Sequence, residues 1–172
     1  VGPTSTAPAE TGTERSQRLT ELLPDFGTTA MTIVITRASD IRRGAAALVA
    51  RLAELAVNDE VLVVCGANDH HTPDADALTS GLRRRLPRHD VVALNIAPHD
   101  GAPRRIATLV SEFMEIGSLP VLVTPATAVR DIVAELSTQL HADRVLSLSC
   151  RAAGADLRQI WARRAVVTGQ PA

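Results

Sequence analysis

The chain contains no lysine and no tyrosine, and its 172 residues include only two phenylalanines, one tryptophan and two cysteines. The absence of lysine removes every mechanism that needs an ammonium group or a Schiff base, and all 18 basic residues are arginine. Phe26, Phe113 and Trp161 cannot form a platform on which nucleic-acid bases stack. A formal net charge of -1 adds no global attraction to nucleic acid or to an anionic membrane. Two cysteines do not make a disulfide scaffold, so Cys65 and Cys150 read as reduced, buried thiols of a cytoplasmic protein. No apolar run approaches the ~18 residues of a membrane span, and the N-terminus lacks a charged-then-apolar signal pattern.

What is present is aliphatic. A hydrophobic content of 45% in a chain of this length predicts one domain with a full core of Val, Leu, Ile and Ala. Residues 1–30 are rich in Thr, Pro, Ala, Gly and Ser and read as a flexible arm, with a short helical stretch at Ser16–Leu23. Residues 31–165 read as a single α/β domain and 166–172 as a tail. Apolar runs at Thr32–Thr36, Val61–Cys65, Val91–Ile96, Leu119–Thr124 and Val145–Ser149 predict five strands. Helical spacing predicts helices at Ile41–Val57, from Thr72 to about Leu86, at Arg104–Ile116 and at Arg130–Leu140, with a terminal helix at Ala155–Arg164. In the third of these, Ile106, Leu109, Val110 and Phe113 are expected to face inward. Strict alternation of strands and helices specifies a mainly parallel five-stranded sheet with helices on both faces. Strand order is not readable from the alternation.

Ligands of such sheets bind beyond the carboxyl ends of the strands. The stretch Glu60-Val-Leu-Val-Val-Cys-Gly-Ala-Asn-Asp-His-His-Thr-Pro-Asp74 puts two of the five histidines, His70 and His71, at such an end. The third strand delivers His99 and Asp100 and the fourth Thr124 and Thr127. If the second and third strands are neighbours, these groups converge on one rim. His70, His71, His99, Asp100 and Cys65 suit a borderline divalent metal such as Zn, Co, Ni or Fe, and the imidazoles could equally transfer protons. The alternative is that the histidines are solvated loop residues. Arg104 and Arg105 open a helix close to His99, where they could meet an acidic ligand. Arg83, Arg84 and Arg85 spread around a helix surface and read as a solvated face. No Gly-x-Gly-x-x-Gly or Walker sequence is present, so no nucleotide cofactor is expected.

From Val61 onward the chain resembles the small class II chelatases, the sirohydrochlorin-type metal insertases. Their strand ending in His-Gly-Ser is matched by Val61-Leu-Val-Val-Cys-Gly-Ala67, and their Asp-Pro turn and helix by Thr72-Pro-Asp-Ala-Asp-Ala-Leu78 and Arg85-Leu-Pro87. Val91-Val-Ala-Leu94, Ile116-Gly117, Val121-Leu-Val-Thr-Pro125 and Asp131-Ile132 continue the pattern. The resemblance implies metal insertion into a tetrapyrrole, with His70, His71 or His99 taking pyrrole protons and Arg104, Arg105 and Thr124 holding the acidic ligand. The chain departs from the family at its first histidine, which falls on Cys65 or shifts to His70 or His71. It also lacks the second, because Ala126-Thr-Ala-Val-Arg130 contains none. The ligand set is then either rebuilt on His70, His71 and His99 or lost, leaving a non-catalytic interaction domain; a homo-oligomer stays open in both cases. A weaker similarity, through Thr32-Ile-Val-Ile35 and Ala142-Asp-Arg-Val-Leu-Ser-Leu148, links the chain to carbamate-kinase-like amino-acid kinases. Their glycine-rich loops and lysines are missing, so that reading implies an inactive kinase fold.

Overall fold

A computed structural model describes residues 30–67, 73–96, 103–152 and 154–163. The N-terminal arm and the C-terminal tail lie outside them, apart from Ala30. The strands are β1 (Met31–Arg37), β2 (Glu60–Ala67), β3 (Asp90–Asn95), β4 (Ser118–Pro125), β5 (Arg144–Arg151) and β6 (Gly154–Ala162). The helices are α1 (Ala38–Asn58), α2 (Pro73–Arg85), α3 (Pro103–Glu115) and α4 (Val129–Gln139), the last entered through a 3-10 turn at Ala126–Ala128. One six-stranded sheet has the order β3-β4-β2-β1-β5-β6. All neighbours are parallel except β5 and β6, which are antiparallel.

The chain steps one way along the sheet from β1 through β2 to β3, then reverses through β4 to β5. Right-handed crossovers then put α1 and α2 on one face and α3 and α4 on the other. The core divides accordingly. Ile41, Leu48 and Leu52 of α1 and Leu78 and Leu82 of α2 pack on Val34, Val63, Val121 and Leu148. Ile106 and Val110 of α3 and Ile132 and Leu136 of α4 pack on Ile33, Leu62, Leu122 and Val145. Burial of β2 and β4 on both faces explains why their apolar runs are continuous rather than alternating.

Two expectations require correction. The sheet is mainly parallel as expected, but it has six strands rather than five and includes one antiparallel pair, β5–β6. The segment expected as a terminal helix is β6: Gly154, at φ 123, permits the turn that folds it back on β5. Leu157, Ile160 and Trp161 do have helical spacing, but unpaired β5 backbone offers the segment a full antiparallel ladder. Ala155 and Leu157 then pack toward the α1 side, while Ile160 and Trp161 are exposed. Strand order, which the alternation leaves open, is answered: β4 lies between β2 and β3. Helix α3 also packs more narrowly than its periodicity suggests, burying Ile106, Ala107 and Val110 while Leu109 is exposed and Phe113 half-buried.

Helix α1 is kinked at Gly44 (φ -169, ψ 60). A Cβ there would stand 2.6 Å from Cys150 Sγ, so the bend lets the end of β5 approach the helix backbone. Among the described residues no helix is long and apolar enough to cross a membrane.

Candidate functional site at the β2–β4 switch point

The chain leaves β2 for α2 on one face and leaves the adjacent β4 for α4 on the other. Such a divergence opens a crevice beyond the strand ends, the usual ligand position in an open α/β sheet. Its floor follows from register. Thr36, Cys65 and Val123 form one row, and Arg37, Gly66 and Thr124 the next.

The first row faces α1 and α2. Cys65 is fully buried there and its thiol is pushed up to about 12, first by desolvation and then by the nearby Asp74 carboxylate. It is a neutral thiol at ordinary pH and enters a metal ligand set only by surrendering its proton. Thr36 beside it is 1% exposed, and its Oγ1 has no hydrogen-bond partner among the described residues. Asp74, in the first turn of α2, accepts hydrogen bonds from Arg42 Nη2 at 2.9 Å and Nε at 3.3 Å, joining α2 to the start of α1. The pairing raises the Arg42 pKa, chiefly through the hydrogen bond.

The second row faces α4. A Cβ on Gly66 would lie 3.1 Å from Val129 Cγ2 and 3.4 Å from Ala126 Cα, so this glycine lets the start of α4 settle on β2. Thr124 beside it is 2% exposed, and its Oγ1 likewise lacks a partner among the described residues. A buried hydroxyl in this state carries an uncompensated desolvation cost. Two such groups therefore flank the strand ends at the switch point.

His70, His71, His99 and Asp100 lie outside the described residues, as do Asn68 and Asp69. Among the described residues no three His, Cys, Asp or Glu side chains gather to hold a metal ion. Arg104 and Arg105 are exposed in the first turn of α3, where the Arg104 carbonyl accepts from Gln139 Nε2 at 3.3 Å in the last turn of α4. Arg84 and Arg85 are exposed, but Arg83 ties α2 to the sheet by donating from Nε and Nη2 to the Val91 carbonyl at 3.1 and 2.9 Å. The two cysteines are free, Cys65 buried and Cys150 half-buried.

Sequence reasoning passed over two groups. Thr36 sits in a run that reads only as strand, and its orphaned hydroxyl has no sequence signal. Asp40 stands just before the helix expected from Ile41 and carries no sequence signal, yet it is 2% exposed and its Oδ1 accepts from the Cys150 N–H at 3.0 Å.

The chain matches no protein-family model, and no curated protein resembles it at a significant level.

Proposed function

We propose that this protein is a chelatase-like binding domain that takes an acidic, tetrapyrrole-type ligand, a divalent metal ion, or both, beyond the carboxyl ends of β2 and β4. The observation that supports this reading is the β2–β4 switch point with the unpaired hydroxyl of Thr124 in its floor. In sequence, the histidine-bearing segments 68–72 and 97–102 follow β2 and β3 directly. On this reading an imidazole of His70, His71 or His99 accepts one pyrrole N–H proton as the metal enters, the second passing to another of these imidazoles or to solvent, and Arg104 and Arg105 meet the ligand carboxylates. Asp100 and the histidines supply the metal-binding groups, and Cys65 joins them only as a thiolate.

A second reading, a non-catalytic interaction domain on the same scaffold, is favoured by the neutral, core-packed state of Cys65. That residue stands where the chelatase pattern has its first histidine. Incubation with sirohydrochlorin and Co²⁺ or Fe²⁺, followed by absorption spectroscopy, separates the two. Insertion or ligand binding sustains the first reading. Unchanged ligand spectra, with no binding by titration, leave only the second.

A further inference from the structure

We infer that residues 16–23 of this chain dock over the α4-side face of the β5–β6 hairpin and cover Trp161. Register shows which side chains form that face. Val145, Ser147 and Ser149 of β5 are partnered with Trp161, Arg158 and Asp156 of β6. Val145 belongs to the core under α4, so its register partner Trp161 and the residues alternating with it share that side. Helix α1 packs on β5 and β6 from the opposite side, whereas neither α3 nor α4 makes a comparable contact with β6. Among the described residues the outer end of the sheet therefore has a helix on one face only. Trp161 remains 43% exposed and Ile160, at the bulge between the Val145 and Leu146 registers, 58%.

The occupant is named by where the described structure begins. Met31 N donates to Asp143 Oδ2 at 2.6 Å, Asp143 N donates to the Met31 carbonyl at 2.8 Å, and Arg163 N donates to the Asp143 carbonyl at 2.7 Å. The chain thus enters β1 beside Asp143, whose carbonyl in turn accepts from Arg163, two positions from Trp161. β1 and β6 are separated by β5 alone, so the face lies roughly 10 Å from the point of entry. The linker 24–29 spans up to ~20 Å when extended, enough to reach it. Upstream of that linker, Leu19, Leu22 and Leu23 recur at i, i+3 and i+4, the spacing of one apolar helix face, and Pro24 is a stop signal after them. Tethering makes the association intramolecular, so a small apolar patch suffices where a separate partner would need a much larger one.

Trp161 is the only tryptophan and there is no tyrosine, so intrinsic fluorescence reports on this face alone. The test compares emission and acrylamide quenching of the full chain, a chain lacking residues 1–29, and full-length Leu22→Asp, with circular dichroism verifying that each is folded. Docking predicts a red-shifted emission and a roughly twofold rise in quenching in both altered proteins, reversed in the truncated chain by a synthetic peptide of residues 14–28. If the truncated chain fails to fold, Leu22→Asp decides alone. Equal quenching in the full chain and Leu22→Asp overturns the inference. Shielding that persists without residues 1–29 and grows with protein concentration also overturns it, and assigns the face to a second copy.

Discussion

The carboxylate of Asp40, in the first turn of α1, accepts a hydrogen bond from the backbone N–H of Cys150, 110 positions away at the end of β5. The same carboxylate pairs with Arg37 at 3.4 Å and Arg43 at 3.9 Å, both largely exposed. Exposed pairs of this kind add little, so the bond to Cys150 carries most of the stabilisation. Asp40→Ala is expected to cost about 1–3 kcal/mol in urea unfolding, because it strands a part-buried N–H. A loss below roughly 0.5 kcal/mol, the level of an ordinary surface substitution, would show that the bond is not a fastening.

Gly44 and Cys150 should behave as a coupled pair. A methyl group on Gly44 meets Cys150 Sγ at 2.6 Å, well inside contact distance. Gly44→Ala is therefore expected to destabilise the fold by about 1–3 kcal/mol, as overpacked sites do. The double variant with Cys150→Ala should recover much of that loss, and the double-mutant cycle measures the coupling. Additive effects would mean that the kink tolerates the methyl group in some other way.

The Cys65 thiol predicts a pH dependence. Its pKa is raised from 9.0 to about 12 in the folded protein. The unfolded chain therefore loses the thiol proton first as pH rises, and the native state binds more protons between these values. The stabilising contribution is complete below pH 9 and is lost between pH 9 and 12, at up to about 1.4 kcal/mol per pH unit. Cys65→Ala should flatten that part of the stability profile. In the native protein at pH 8, thiol reagents should modify Cys150 well before Cys65; equal rates would contradict the buried, neutral thiol.

Thr124→Val separates stability from binding. The hydroxyl is buried without a partner among the described residues, so an isosteric methyl should leave stability unchanged or raise it by up to about 1 kcal/mol. If Thr124 also contacts the acidic ligand, the same variant binds it more weakly. Gain in stability with loss of binding is the signature of a group kept for function. Loss of stability would reveal a partner for the hydroxyl within the chain.

His70→Ala and His99→Ala test the histidines directly. A shared metal site predicts that each variant weakens Co²⁺ or Zn²⁺ binding by about tenfold or more in calorimetric titration, since each imidazole is a direct ligand. Unchanged affinity in both variants removes these residues from any ligand set.

Much of the architecture is legible in the amino-acid sequence. The runs at Val61–Cys65 and Leu119–Thr124 are strands because both of their faces are covered, and double burial leaves a continuous apolar signature. Leu78 and Leu82 mark the inward stripe of α2 for the corresponding helical reason. The hairpin at the other end of the sheet is not legible. Leu157, Ile160 and Trp161 satisfy helical spacing, and what makes them a strand is a partner, β5, whose pairing is visible only in three dimensions. The candidate site is legible as a set of strand ends but not as a neighbourhood. Cys65 lies beside Val123 of β4, and β4 intervenes before β3 is reached.

By itself the sequence determined which segments are strands and helices in the parallel part of the fold, and which residues follow each strand. Those properties follow from side-chain periodicity within a dozen positions. The tertiary structure alone decided the strand order, the switch point between β2 and β4, the strand character of residues 154–162 and the chemical state of Cys65. Each depends on groups remote in the chain. Strand order is chosen by which apolar faces the helices can cover together, the β6 ladder by hydrogen bonds to β5, and the neutral thiol by desolvation among side chains from several elements.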